Sequence, residues 1–185
     1  MKISVLVLSA ALALPAAAQG PGVAVVPTAP APPAAHAAAG LKMPWNRVKD
    51  ILVRAAEKMP EENYAFKPTP AVRSFGQLIG HVADSQYAFC SAVLGKPNPA
   101  PGIEKSKTAK ADLVQAVKDA FAFCDPAYDG LTDAQAGVMV KFFGGDQAKV
   151  TVLAFNTAHD NEHYGNIVTY LRMKGIVPPS SEPRK

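Results

Sequence analysis

The stretch NTAHDNEHYGNIVTY, residues 156–170, decides how this chain is read. With Val152 before it, the residues Val152, Asn156, His159, His163, Ile167 and Tyr170 follow at intervals of 4, 3, 4, 4 and 3. That is the period of one face of an α-helix. The pattern predicts a helix from about Gln147 to Lys174, stopped at Gly175, with Pro178 and Pro179 beyond it. It also places Asn156, His159 and His163 where aliphatic residues would ordinarily pack. Burying a polar group without a partner costs roughly 1–3 kcal/mol. The pair therefore has two readings. Either the histidines are hydrogen-bonded core residues, or they use their common face. Side chains at i and i+4 project side by side, one turn apart, which is the bite needed to hold one metal ion.

Working outward, three more helical patterns appear. WNRVKDILVRAAEKM has apolar residues at Trp45, Val48, Ile51, Leu52, Ala55 and Met59, with Pro44 in its first turn and Pro60 as its stop. SFGQLIGHVADSQYAFCSAVLG opens on an S-x-x-Q capping box, Ser74 and Gln77, and ends at Gly95. Its stripe runs Phe75, Leu78, Val82, Phe89 and Val93, with His81 at one edge and Cys90 at the other. KADLVQAVKDAFAFCD places Leu113, Ala116, Val117, Ala120, Phe121 and Cys124 in register, and Pro126 is expected to close it. GVMVKFF, residues 137–143, is a short extended segment without an evident partner. FFGGDQ after it is a mobile rim or a plain connector. Four helices of this length predict an all-α fold, a four-helix bundle. The connection GKPNPAPGIEKSKT between the second and third helices is long enough for a crossover that leaves those two helices parallel.

The N-terminus reads differently. Lys2, an apolar run from Ile3 to Leu14 and Ala16-Ala17-Ala18 make a secretory signal peptide over residues 1–18. The run is too short to span a bilayer as a stable helix. Residues 19–40 are Pro/Ala-rich and carry no Lys, Arg, Asp or Glu, as expected of an extended linker. His36 lies in it, where ordering a flexible tail onto a metal would cost chain entropy. A single domain is expected over residues 41–179, followed by a tail over 180–185. The mature protein is then exported, periplasmic or secreted, with no membrane span after processing. The formal charge of +4 is spread along the chain, so nothing points to nucleic acid.

His81 completes a set. With His159 and His163 it accounts for every histidine of the domain, and all three fall on or beside an inner face. Neutral imidazoles suit zinc, nickel and ferrous iron, and three such ligands leave a position for water or substrate. VRSFGQLIGHVADSQYAFC together with FNTAHDNEHYGNIVTYLRMKGIVPP resembles the DinB-like proteins, the DinB/YfiT superfamily, over roughly Trp45 to Pro179. The resemblance implies a four-helix bundle of up-down-down-up topology. It also implies a divalent transition metal held by His81, His159 and His163. Relatives include thiol transferases and proteins described as metal-dependent hydrolases. Thiol-cofactor chemistry is typically cytosolic, which does not suit an exported chain.

The resulting expectation is a metal-dependent hydrolase or transferase acting on a small molecule. The alternatives are a non-catalytic metal- or ligand-binding protein and a purely structural bundle. Asp160, beside His159, is the candidate general base. Asp84, one turn after His81, is either a hydrogen-bond partner of a ligand imidazole or a solvated residue. Glu162 is expected to face solvent, and Tyr87, Tyr164 and Tyr170 to be core or rim aromatics. A homodimer is compatible with the pattern. Export and an even cysteine count favour a Cys90–Cys124 disulfide, whereas buried free cysteines also serve as small apolar residues.

Overall fold

A computed structural model describes residues 37–183. The signal peptide, its cleavage site, most of the linker with His36, and the last two residues lie outside the described residues.

The chain forms α1 (Ala37–Gly40), α2 (Lys42–Lys58), α3 (Phe75–Leu94), α4 (Ile103–Ser106), α5 (Lys110–Asp129), α6 (Asp133–Ala136), β1 (Met139–Phe142), β2 (Gly145–Ala148) and α7 (Lys149–Met173). Four of these, α2, α3, α5 and α7, are the helices read from the sequence. α2 packs against α5 and α7, and α3 packs against the same two. Each long helix thus gives its apolar stripe to a common core. Trp45, Leu52, Phe75, Ile79, Phe121, Leu153 and Ile167 are all at most 2% exposed there.

Pairwise contacts set the helix directions. Gly76 faces the Leu113 side chain, and further along Cys90 is bonded to Cys124, so α3 and α5 advance the same way. Gln86 meets Asp160, and Tyr170 reaches back to Arg73, so α7 runs against α3. Trp45 and Lys49 meet Asp125, while Glu57 meets Lys118, so α2 runs against α5.

The caps behave as the sequence says. The Gln77 backbone N–H donates to Ser74 Oγ at 3.2 Å, and the Ser74 N–H donates to Gln77 Oε1 at 2.9 Å. Gly95 closes α3 at φ 65°, a left-handed angle that suits glycine.

Three readings need correction. Pro126 does not close the third helix. α5 continues to Asp129, because Tyr128 in its last turn stacks on Trp45 at 4.0 Å and donates to the Leu153 carbonyl at 2.9 Å. GVMVKFF does have a partner. β1 pairs antiparallel with β2, from Met139 opposite Ala148 to Phe142 opposite Gly145. The two-residue turn, Phe143-Gly144, has positive φ at both positions, 49° and 78°, as tight hairpins require. Its second strand occupies the residues read as the start of the fourth helix, which begins at Lys149 instead. At the ends, the linker's last four residues form α1, where Ala38 N–H donates to Asp133 at 3.0 Å. The tail turns into a 3₁₀ helix, Pro179–Ser181, and Glu182 pairs with Arg54 and Lys58 of α2.

Cys90 and Cys124 are joined by a disulfide with their Cα atoms 5.3 Å apart, inside the range a bridge needs.

Candidate metal centre

The i, i+4 spacing on α7 does what helical geometry dictates. His159 and His163 rise on one face, with ring centroids 4.3 Å apart and their Nε2 atoms 2.9 Å apart. His81 comes from the neighbouring α3. Its ring centroid is 5.3 Å from that of His159 and 4.7 Å from that of His163. Each histidine offers one ring nitrogen to a cluster in which all three atoms lie within 4.8 Å of one another. The bundle has thus brought together the three residues singled out by their position along the stripes.

Burial sets their charge. Removal from water holds the His163 imidazole down to about 3, helped by the neighbouring His159 and His81 and then by Arg73. His159 is lowered for the same first reason, with His81 and Arg73 adding to it and Glu162 opposing. Both rings are neutral at neutral pH and keep a lone pair to give.

The donor set fits a divalent transition metal. Two imidazole nitrogens on one zinc, at about 2.0–2.1 Å each, lie roughly 3–3.4 Å apart, close to the Nε2–Nε2 separation seen here. Without a metal, one Nε2 must donate to the other. The buried Nδ1 atoms of His159 and His163 have no hydrogen-bond partner among the described residues.

Around this cluster the surroundings differ from what the sequence suggested. Asp84 does not meet an imidazole. Its carboxylate accepts three backbone N–H groups, from Gly102 at 2.9 Å, Ile103 at 2.8 Å and Glu104 at 2.9 Å. The carboxylate beside His81 is Glu104, whose Oε2 is 3.1 Å from His81 Nδ1. Its other oxygen accepts from Arg73 Nε at 2.9 Å. No local signal in the sequence ties Glu104 to His81, since they are 23 residues apart across an irregular loop.

Asp160 is fully buried, with Gln86 Nε2 donating to its Oδ1 at 2.6 Å, and burial pushes its carboxyl well above the usual carboxylate range. Asn156 joins the same interior group, donating to Gln86 Oε1 at 2.8 Å and meeting the Tyr128 hydroxyl at 3.2 Å. Asp160 is not part of the histidine cluster. Glu162 is exposed, as expected, yet it lines a cleft of about 680 Å³ beside the cluster. His163, Glu104, Arg73, Lys67 and Tyr170 line it too. On the other side, the Phe89 ring lies 5.7 Å from His159 and packs on Phe142 of β1 at 4.7 Å.

A bundle with three histidines converging from two helices defines a class of helical protein with a metal-competent core. Comparison with known proteins narrows it. A sequence model of the DinB superfamily matches residues 45–167, and the chain belongs to that superfamily. It is 25% identical over 130 residues to the uncharacterized protein YjoA of Bacillus subtilis strain 168, covering 69% of this chain and 84% of YjoA. The crystal structure of a DinB-like protein from Bacillus cereus ATCC 10987 superposes with a TM-score of 0.68 at 17% identity, covering 76% of this chain and 95% of that one. The crystal structure of YjoA superposes at 0.61 with 21% identity, covering 79% and 99%. At these identities the structural matches speak for the fold.

Proposed function

We propose that this chain is an exported, metal-dependent enzyme acting on a small molecule, most simply a hydrolase. In this reading His81, His159 and His163 hold one divalent transition metal, zinc, nickel or iron. The observation that carries it is the convergence of three imidazole nitrogens, two of them kept neutral by burial, at the side of an open cleft. A metal held by three neutral ligands acts as a Lewis acid toward a substrate oxygen and lowers the pKa of water.

The protein's own residues supply the rest. Lys67 offers the cleft wall a positive charge for an anionic part of a substrate, while Arg73 is paired with Glu104. Glu162 is an exposed carboxylate on that cleft, which Glu104 also lines. Asp160, the base suggested by the sequence, is held by Gln86 inside the bundle, and in this reading it stabilises α7 rather than meeting substrate. Export is supported by the leader-like first eighteen residues and by the Cys90–Cys124 disulfide, which suits an oxidising compartment. Such a compartment also argues against a cytosolic thiol as co-substrate.

The test is to purify the protein without chelator, measure its metal content, and screen esters, amides, phosphoesters and thioesters with the wild type and His163→Ala. Turnover that is lost with the metal and with His163 supports the enzyme. The buried position of Asp160 favours a second reading, a non-catalytic metal-binding protein, and bound metal without turnover would select it. Protein that takes up no transition metal refutes both.

A further inference from the structure

We propose that Glu104 is a positioning residue of the metal centre. It accepts the Nδ1–H of His81 and thereby commits the other ring nitrogen of His81, Nε2, to the metal. This rests on the metal-binding reading above.

The argument starts from the hydrogen-bond inventory. An ionised carboxylate only accepts, so its contact with His81 Nδ1 at 3.1 Å requires the proton to sit on that nitrogen. In the neutral ring the tautomer is then fixed, and Nε2 carries the free lone pair. Carboxylate partners of this kind orient ligating imidazoles and raise their basicity.

Three features, two on α3 and one just before it, deliver Glu104 to that place. The first is Asp84 on α3, which gathers the N–H groups of Gly102, Ile103 and Glu104 onto one carboxylate and so fastens the start of α4 to α3. The second is Gly80, one residue before His81. A Cβ there would stand 2.7 Å from Glu104 Cα and 3.0 Å from Glu104 N, so only glycine lets α4 come this close. The third is Arg73, whose Nε holds Glu104 Oε1 at 2.9 Å while Oε2 faces His81. Tyr170 in turn donates to the Arg73 carbonyl at 2.6 Å, which anchors that end from α7. The long proline-rich connection is thus more than a crossover. Its one helical turn is clamped against α3 beside the histidine that α3 contributes. His159 and His163 have no such partner on Nδ1 among the described residues, so the orienting function is concentrated on His81.

The test uses full-length protein stripped of metal and titrated with Zn²⁺ or Co²⁺ against a competing chelator, with the metal-free thermal midpoint measured in parallel. Glu104→Ala should raise the dissociation constant about 10–100-fold while leaving the metal-free midpoint close to that of the wild type. Glu104→Gln, which keeps an acceptor oxygen, should lose less. Asp84→Ala, which unfastens α4 without touching His81, should weaken binding in the same direction. In the Co²⁺ form, Glu104→Ala should also alter the visible absorption of the bound ion. Unchanged affinity in Glu104→Ala, with or without a drop in the metal-free midpoint, overturns the proposal. Failure of the wild type to bind either ion instead overturns the metal centre itself, so the two failures are told apart.

Discussion

His159 Nε2 and His163 Nε2 face each other at 2.9 Å across one turn of α7. His163 is buried and His159 partly buried there, and His81 closes the cluster from α3. Single alanine substitutions at His81, His159 or His163 are expected to abolish stoichiometric binding of Zn²⁺ or Co²⁺. His36→Ala should leave it unchanged. Because the unfolded chain cannot present the three ligands together, metal adds to folding stability by mass action. Chelator should therefore lower the thermal midpoint of the wild type and not that of His163→Ala. Equal chelator sensitivity in the two proteins would show that the stabilising ion sits elsewhere.

The two histidines also set a pH dependence with a definite sign. In the unfolded chain an imidazole titrates near about 6.5. In the folded, metal-free protein His163 is held down to about 3 and His159 is lowered as well. Below pH ~6.5 the unfolded chain takes up protons that the folded one refuses. Stability from this source is present above that pH and is lost progressively as pH falls toward the folded values. Bound metal acts in the same direction, since a protonated imidazole cannot ligate. Thermal unfolding of metal-free protein between pH 7.5 and 4.5 should show a falling midpoint, with a shallower slope in the His159→Leu/His163→Leu double variant. An identical slope would remove the histidines from the explanation.

Gly80 gives a steric prediction. A methyl group at that position meets backbone atoms of Glu104 rather than a flexible side-chain end. Gly80→Ala is expected to destabilise the metal-free protein by roughly 1–3 kcal/mol, the usual cost of overpacking. Chemical denaturation measures it, and a neutral substitution would mean that α4 sits less tightly than described.

Asp160 can be tested by separating its shape from its hydrogen bond. It is fully buried and takes a 2.6 Å hydrogen bond from Gln86. Asp160→Ala strands that donor and should cost about 1–3 kcal/mol. Asp160→Asn keeps an acceptor oxygen in place and should cost less, with metal stoichiometry retained. If Asp160→Asn instead abolishes turnover while stability holds, Asp160 acts in chemistry and the interior assignment is wrong.

What the sequence made legible follows from how local each feature is. The Ser74–Gln77 capping box, the Gly95 stop and the stripes of α2, α3, α5 and α7 depend on neighbours three or four residues away, and they could be read directly. The triad was legible for a related reason, since a polar residue on an apolar stripe stands out wherever its partner lies. β2 was not, because Gly-Asp-Gln-Ala has no β-branched or aromatic residue. It is held by the turn at Phe143-Gly144 and the ladder to β1. Pro126 misled because the rule that proline ends a helix is local, whereas Tyr128 is held in place by Trp45 from another helix. Glu104 was invisible because its role is created by Asp84 and Gly80, which act only once the loop has folded back.

The disulfide gives a prediction that links fold to compartment. Cys90 lies near the end of α3 and Cys124 near the end of α5, and these helices run side by side in the same direction. The bridge closes a sequence separation of 34 residues that contains the whole proline-rich connection and α4. On the chain-entropy account, a loop of that size stabilises the fold by about 3–4 kcal/mol. Denatured, unreduced protein isolated from an exporting host should therefore show no free thiol. Reduction should lower the thermal midpoint of the wild type, and the Cys90→Ala/Cys124→Ala variant should melt at the lower temperature with or without reductant. The same exported sample, weighed intact, should begin at Gln19 if residues 1–18 are removed as a leader. Two free thiols per chain in that sample would refute the bridge, and a retained Met1 would refute the processing.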